Sequence, residues 1–313
     1  MAQQQLAVGA THVGSRSSSL RRVLGRDWLL SWAMVGPVVA IVVALLIYPF
    51  LDAFVLSFQE RFIGQTGTFV GIANYAALFT GADGLFLKAV GVTFVLTGAA
   101  IFGKLILGLA MAAVLNQEYL PAKNVWRGVM FLPWAVPAVV TAYAWRFLFD
   151  TTGPINGVIA EFQLLDDYLY FFNDAKLALP ALTLVVIWSG VPFWTMNIIA
   201  GMQAIPSELY EAAEIDGAGT VQKYWFITLP SLAAVLSVTA MLSTIWTSAN
   251  LTQIIILTGG GPNNATMTIP LLSYLTAIPG HQLGMGAAIS MTIVPFYMIL
   301  VYFLTRRMLQ QEG

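Results

Sequence analysis

The sequence predicts an all-α integral membrane protein with six transmembrane helices across residues 30–305 and both termini in the cytoplasm. Three observations lead there. Hydrophobic residues make up 58% of the 313 and charged residues only 9%, at a mean hydropathy of +0.78, whereas soluble domains carry ~25% charged residues. Such a chain cannot cover an aqueous surface. Six segments are apolar over the ~20 residues a helix needs to cross a bilayer. The basic residues, finally, gather on one side of those segments.

The spans fall at about 30–51, 89–115, 128–149, 177–203, 229–258 and 283–305. Leu30–Leu51, Leu177–Gln203, Leu229–Thr258 and Leu283–Thr305 contain no Asp, Glu, Lys or Arg. Ala89–Leu115 carries only Lys104, and Gly128–Phe149 only Arg146, near enough to its end to snorkel. Lys104 lies deeper, where pairing with a carbonyl or reach to an aqueous groove would be needed. From Tyr224 to Thr305 there is no formal charge, and Gly259-Gly260-Gly261-Pro262-Asn263-Asn264 is the turn that divides this run. The runs exceed barrel-strand length and lack alternation, so they are helices. Proline predicts kinks at Trp134–Pro137 and Gly190–Pro192.

Orientation follows from basic side chains. The tail 1–29 holds Arg16, Arg21, Arg22 and Arg26; loop 116–127 holds Lys123 and Arg127; loop 204–228 holds Lys223; the end 306–313 holds Arg306 and Arg307. The opposite loops hold only Arg61, Lys88 and Lys176. Residues 1–29 read as a disordered cytoplasmic tail. They are not a signal peptide, because the apolar run that follows is of spanning length and lacks a small-residue cleavage site.

Several function classes are disfavoured. A net charge of −1 offers no basic stripe for nucleic acid. Without cysteine, and with His12 and His281 as the only histidines, no catalytic thiolate or metal centre is expected. No span centre carries the carboxylate that an ion-coupled carrier would use, nor a catalytic pair. No internal repeat is visible, which weakens an inverted-repeat carrier. Gly98–Lys104 fits seven positions of a phosphate-binding loop, but Leu105 stands where Ser or Thr must hold magnesium, and the match lies inside a span.

Loop 204–228 is the most patterned hydrophilic piece. Pro206 and Ser207 open a short helix. Leu209, Ala212 and Ala213 share one face, with Glu208, Glu211 and Glu214 opposite. Gly217 and Gly219 end it, and a second helix starts at Thr220. By pattern alone this also fits a solvated amphipathic connector. The spacing adds more: Glu211-Ala212-Ala213, three residues, Gly217, nine residues, Ile227, one residue, Leu229-Pro230. It resembles in full the EAA signature of binding-protein-dependent ABC importer permeases, with Asp216 inside the same segment. Gly71–Phe79, Leu132–Pro137 and Leu257–Pro262 are similar to further pieces of the sugar-permease branch, the maltose-type and glycerol-phosphate-type subunits.

The resemblance implies a type I (MetI-like) importer fold in a bacterial or archaeal inner membrane. It implies mechanical coupling rather than catalysis. Glu211, Ala212, Ala213, Asp216, Gly217, Ile227, Leu229 and Pro230 would form the contact with a separate ATPase subunit, which binds ATP and Mg²⁺ in this chain's stead. The implied partners are a second, related permease subunit in a heterodimer, two ATPase subunits and an extracytoplasmic sugar-binding protein.

A substrate path would need aromatic faces for sugar C–H surfaces, and neutral amides or hydroxyls for sugar OH groups. Ser243, Trp246, Thr247 and Asn250 fall on one helical stripe of the fifth span and offer both. The same residues would also serve as glue between helices. Positions matching the maltose-type pocket are Trp134 and Ala138, Val186, Trp188 and Gly190, and that stripe. Ala138 and Val186 depart from the polar residues of that pattern. The scarcity of pathway cations favours a neutral sugar over a phosphorylated solute; glycerol phosphate or another polar solute of the same family is the alternative.

Overall fold

The computed structural model describes residues 26–81, 84–117, 119–165 and 167–311. Most of the expected tail, residues 1–25, lies outside the described residues, as does the end of the 306–313 segment. The chain divides into two units, Met1–Ala53 and Phe54–Gly313. The first is a single helical run: α1 (Arg26–Val42), a π-wound turn at Val43–Ile47, and α2 (Tyr48–Leu56), which carries on past the boundary. Its apolar window has no buried residue, as suits a helix solvated by lipid.

The second unit begins with a short hairpin, β1 (Gln59–Glu60) against β2 (Thr68–Phe69), followed by α3 (Ala73–Thr80). Asn74 in α3 is buried and donates to the carbonyls of Ser57 and Gln59 at 3.0 and 2.9 Å, while Tyr75 Oη donates to Ser57 Oγ at 2.7 Å. The Gly71–Phe79 motif therefore braces the hairpin.

Next come α4 (Leu85–Leu115), α5 (Lys123–Ala135), α6 (Ala138–Leu148), α7 (Pro154–Glu161) and α8 (Ala175–Gln203). Within the third expected span, 128–149, the expected kink is a sharp corner: α5 and α6 meet at 92°. The cause is Pro137: the residue before a proline is driven out of the helical region, and Val136 sits extended at φ −73, ψ 132. The expected kink at Gly190–Pro192 produces no break, since α8 runs through both prolines.

After α9 (Ser207–Ile215), the chain forms α10 (Thr220–Lys223), a π-wound turn at Tyr224–Thr228, α11 (Leu229–Ser231), α12 (Ala233–Ser248) and α13 (Thr252–Leu257). The fifth expected span, 229–258, is likewise broken: it bends by 62° before α12 and interrupts again at Ala249–Leu251. Both π-wound turns sit just ahead of a proline, Pro49 and Pro230. A proline ring clashes with the carbonyl four residues back, and a wider turn relieves it.

Three helices finish the chain: α14 (Ile269–Ala277), which lies between the fifth and sixth expected spans, then α15 (Leu283–Met291) and α16 (Val294–Gln311). Four helices among the described residues are long and apolar enough to cross a membrane, and six if each bent pair is one span.

Small residues set the closest approaches. A Cβ on Gly108 would lie 2.9 Å from that of Trp194, and one on Gly201 2.6 Å from Leu232, so α4, α8 and α12 pack with little between them. A Cβ on Gly284 would run into the Gln59 carbonyl, which is backbone and cannot step aside. We expect Gly284→Ala to cost about 2–3 kcal/mol, read as a lower melting temperature in detergent, with Gly36→Ala, whose Cβ meets nothing, as the neutral comparison.

Candidate functional site

The 204–228 segment folds as a helical hairpin. Pro206 precedes α9, with its fixed φ, at −58, preset for the turn into the helix. At the other end Gly217 adopts φ +79, its N–H donates to Glu214 O at 3.0 Å, and Ala218 N–H reaches Ala213 O at 2.8 Å. That pair of bonds is a Schellman stop, and only glycine enters it without strain. Gln222 Oε1 accepts from Gly219 N–H at 2.9 Å and opens α10. The two arms are tied by Tyr210 Oη to Thr228 Oγ1 at 2.8 Å and by Lys223 Nζ to Glu214 Oε2 at 3.3 Å.

What this hairpin shows to its surroundings is both apolar and acidic. Ile215, Val221 and Phe226 are 88, 70 and 78% exposed. Glu211, Ala212 and Asp216 are exposed as well, Ala213, Ile227 and Leu229 are half-buried, and Pro230 is exposed.

The expected substrate residues separate into two places. Trp134, Ala138, Trp246 and Asn250 line one cavity of about 580 Å³ at the α5–α6 corner, where α12 ends and α13 begins. Trp246 packs edge-on against Phe193 at 5.1 Å between centroids. Asn250 Nδ2 donates to Gln253 Oε1 at 2.6 Å, and Gln253 Nε2 reaches Ser189 Oγ at 3.3 Å. Thr141, in the same wall, has its hydroxyl buried without a partner. None of the lining residues carries a charge.

Ser189, Gln253 and Thr141 were visible as polar residues within spans but were not assigned to the path. The signal that would have found them is the break after Ser248, which turns Asn250 and Gln253 toward one point.

Ser243 and Thr247 instead face the interior among α4, α8 and α12. Ser243 Oγ accepts from Trp194 Nε1 at 3.0 Å. One turn on, Thr247 Oγ1 accepts from Lys104 Nζ at 2.8 Å. Lys104 is 4% exposed, and Gly190 leaves the room through which its chain passes, because a Cβ there would meet Lys104 Cε. Val186 is buried nearby in α8, and Trp188 stacks edge-on to Trp145 at 5.5 Å. The stripe expected over 243–250 is thus split: Trp246 points to the cavity from one side of the helix, Ser243 and Thr247 face inward from another, and Asn250 lies past the helix end at Ser248. Gly98–Lys104, the phosphate-loop look-alike, is the middle of α4.

A family of binding-protein-dependent transport system inner membrane components matches residues 104–311, about two thirds of the chain. The chain belongs to this family. The trehalose/maltose transport system permease protein MalF of Thermococcus litoralis is 33% identical over 280 residues, covering 88% of this chain and 92% of that one. The multiple sugar-binding transport system permease protein MsmF of Streptococcus mutans is also 33% identical, over 88% and 93%. Among solved structures, a bacterial ABC transporter involved in the import of the acidic polysaccharide alginate superposes with a TM-score of 0.78 at 22% identity, covering 92% of this chain and 97% of that one. The methionine ABC transporter MetNI in an inward-facing form gives 0.53 at 17% identity, over 72% and 96%. As a member of the family, the chain is a multi-pass inner-membrane component with the fold of ABC importer permeases.

Proposed function

We propose that this chain is the permease subunit of an ATP-driven importer that moves a neutral mono- or oligosaccharide across the inner membrane. It takes the sugar from an extracytoplasmic binding protein, and it pairs with a second, related permease and two ATPase subunits. The termini and the 204–228 hairpin face the cytoplasm, in keeping with the basic residues. The chain itself transports and does not catalyse; ATP and Mg²⁺ belong to the ATPase.

The observation that carries the reading is the uncharged cavity. Trp134 and Trp246 offer flat faces for sugar C–H surfaces, Asn250 and Gln253 offer amides for hydroxyls, and Thr141 has a hydroxyl in want of a partner. A phosphorylated solute would need a cation in the wall, and the lining holds none. The names of the relatives, trehalose/maltose and multiple-sugar permeases, support the same substrate class.

Coupling follows from rigidity. Glu211 and the exposed apolar residues of the hairpin engage the ATPase. Tyr210–Thr228 and the continuous winding from Thr220 to Ser231 pass its displacement to α12. The far end of α12 carries Trp246 in the cavity wall. Movement of the hairpin therefore changes the cavity.

Gln253→Leu removes one amide and orphans Asn250. With the assembled importer in proteoliposomes, we expect uptake to need about tenfold more loaded binding protein at a similar basal ATPase rate. Unchanged uptake in both Gln253→Leu and Trp246→Ala would show that the sugar passes elsewhere.

A further inference from the structure

Building on the sugar-permease reading, we infer a second saccharide site: the cavity between the 149–173 loop and the end of α13 receives one sugar ring on its way to the central cavity. Its volume is about 290 Å³. That is the low end of the ~300–1,000 Å³ typical of small-molecule sites, so it suits a single ring rather than a chain.

The lining has the chemistry that hydroxylated rings require. Phe149, Tyr170, Phe171 and Phe172 supply aromatic surface, and Tyr170 is 52% exposed. Arg146 is anchored by one N–H to Ile256 O at 2.9 Å and is otherwise exposed toward this space. Asp150 faces the same space, and the Thr152 amide and hydroxyl, bonded to Oδ1 at 3.0 and 2.9 Å, hold its carboxyl below the usual carboxylate range. Arg146 acts on Asp150 through its charge without a direct ion pair, so the arginine's outer N–H groups and the second carboxylate oxygen remain for hydroxyls. A belt of interfacial aromatics accounts for exposed rings at a helix end. It does not account for a polar chamber beneath them.

The two cavities are built along the same two helices. Thr141 of α6 and Gln253 of α13 face the central one, and Phe149 and Leu257 face the second. Eight positions along the chain, from Thr141 to Phe149, amount to roughly 12 Å of helix. A line of rings joins them: Trp188 to Trp145 at 5.5 Å, Trp145 to Phe149 at 5.2 Å, Phe149 to Phe171 at 4.6 Å. In the proposed orientation the second cavity is the outer one.

The test uses the complete importer in proteoliposomes, with its own binding protein, and radiolabelled maltose and trehalose as probes. Tyr170 and Asn173 are exposed, and neither side chain holds another element, so Tyr170→Ala/Asn173→Ala leaves the fold intact. We expect uptake at sub-saturating sugar to fall about tenfold, with stimulation of ATP hydrolysis by the loaded binding protein kept within about twofold. Tyr170→Phe, which keeps the ring, retains most of the uptake. Unchanged uptake in the double variant overturns the inference. So does a parallel loss of uptake, ATPase stimulation and binding-protein affinity, which would make this surface a protein contact. Where neither is moved, the labelled probes extend to other neutral mono- and disaccharides; a wild-type importer that moves none of them defeats the sugar reading, and this site with it.

Discussion

Replacing Thr247 with valine destabilises the protein by about 2–3 kcal/mol, whereas replacing Lys104 with methionine leaves stability unchanged or raises it. The asymmetry follows from what each change leaves behind. Lys104 is buried in the middle of α4, and the Thr247 hydroxyl is its hydrogen-bond acceptor at 2.8 Å. Thr247→Val keeps the shape but leaves an ammonium without that acceptor in a low-dielectric interior, where it cannot recruit water cheaply. Lys104→Met removes the charge along with its need for a partner, and methionine fills the channel beside Gly190. The double variant should therefore sit close to Lys104→Met alone, not at the sum of the two. Thermal unfolding in a single detergent reads all three. A harmless Thr247→Val together with a damaging Lys104→Met would mean that the lysine packs through its stem and the hydroxyl is incidental.

The second large effect is on coupling. Gly217 holds φ +79 at the stop of α9, a value closed to proline, and its N–H bonds to Glu214 O. Gly217→Pro abolishes both the turn and the bond, which swings α9 away from α10 and scatters the face formed by Glu211, Ala212 and Ile215. We expect ATPase co-purification to fall at least about tenfold, with the permease still folded and paired with its partner subunit. Gly217→Ala strains the same position by about 1–2 kcal/mol without blocking it, and should give an intermediate loss. Glu211→Ala tests the charged contact alone. If Gly217→Pro binds and couples like the wild type, the hairpin is not where the force enters.

Much of this was open to reading in the sequence, and the reasons differ by element. The spans announced themselves through charge-free runs, because a bilayer penalises each charge heavily and tolerates few. The hairpin at 204–228 was legible down to its ends, since Pro206 and Gly217 act on their own backbone and need no distant partner. The corner at Val136–Pro137 was legible for the same local reason. The substrate stripe was only half legible. Helical spacing put Ser243, Trp246, Thr247 and Asn250 together, but Trp246 and Thr247 are about 100° apart around the helix, and α12 stops at Ser248 before Asn250. Asn250 therefore turns to Gln253, while Ser243 and Thr247 remain under the packing of α4 and α8.

Lys104 was the least legible residue. Its partner lies 143 positions away, and the space it threads exists because α8 has no side chain at Gly190. Sequence spacing carries no record of either fact. The aromatic residues of the Gly71–Phe79 motif fit either a contact for a binding protein or a packed plug. Asn74 favours the second by holding the Ser57 and Gln59 carbonyls.

The central claim is that ATP hydrolysed elsewhere drives sugar through this chain, and one measurement addresses it directly. The chain is reconstituted with its partner permease, ATPase and binding protein in proteoliposomes, and labelled sugar uptake is followed while each component or ATP is withheld in turn. The account predicts accumulation against a gradient that stops when the ATPase, the binding protein or ATP is left out, and that no proton or sodium gradient can restore. Uptake that persists without the ATPase, or that follows an imposed ion gradient, would contradict it.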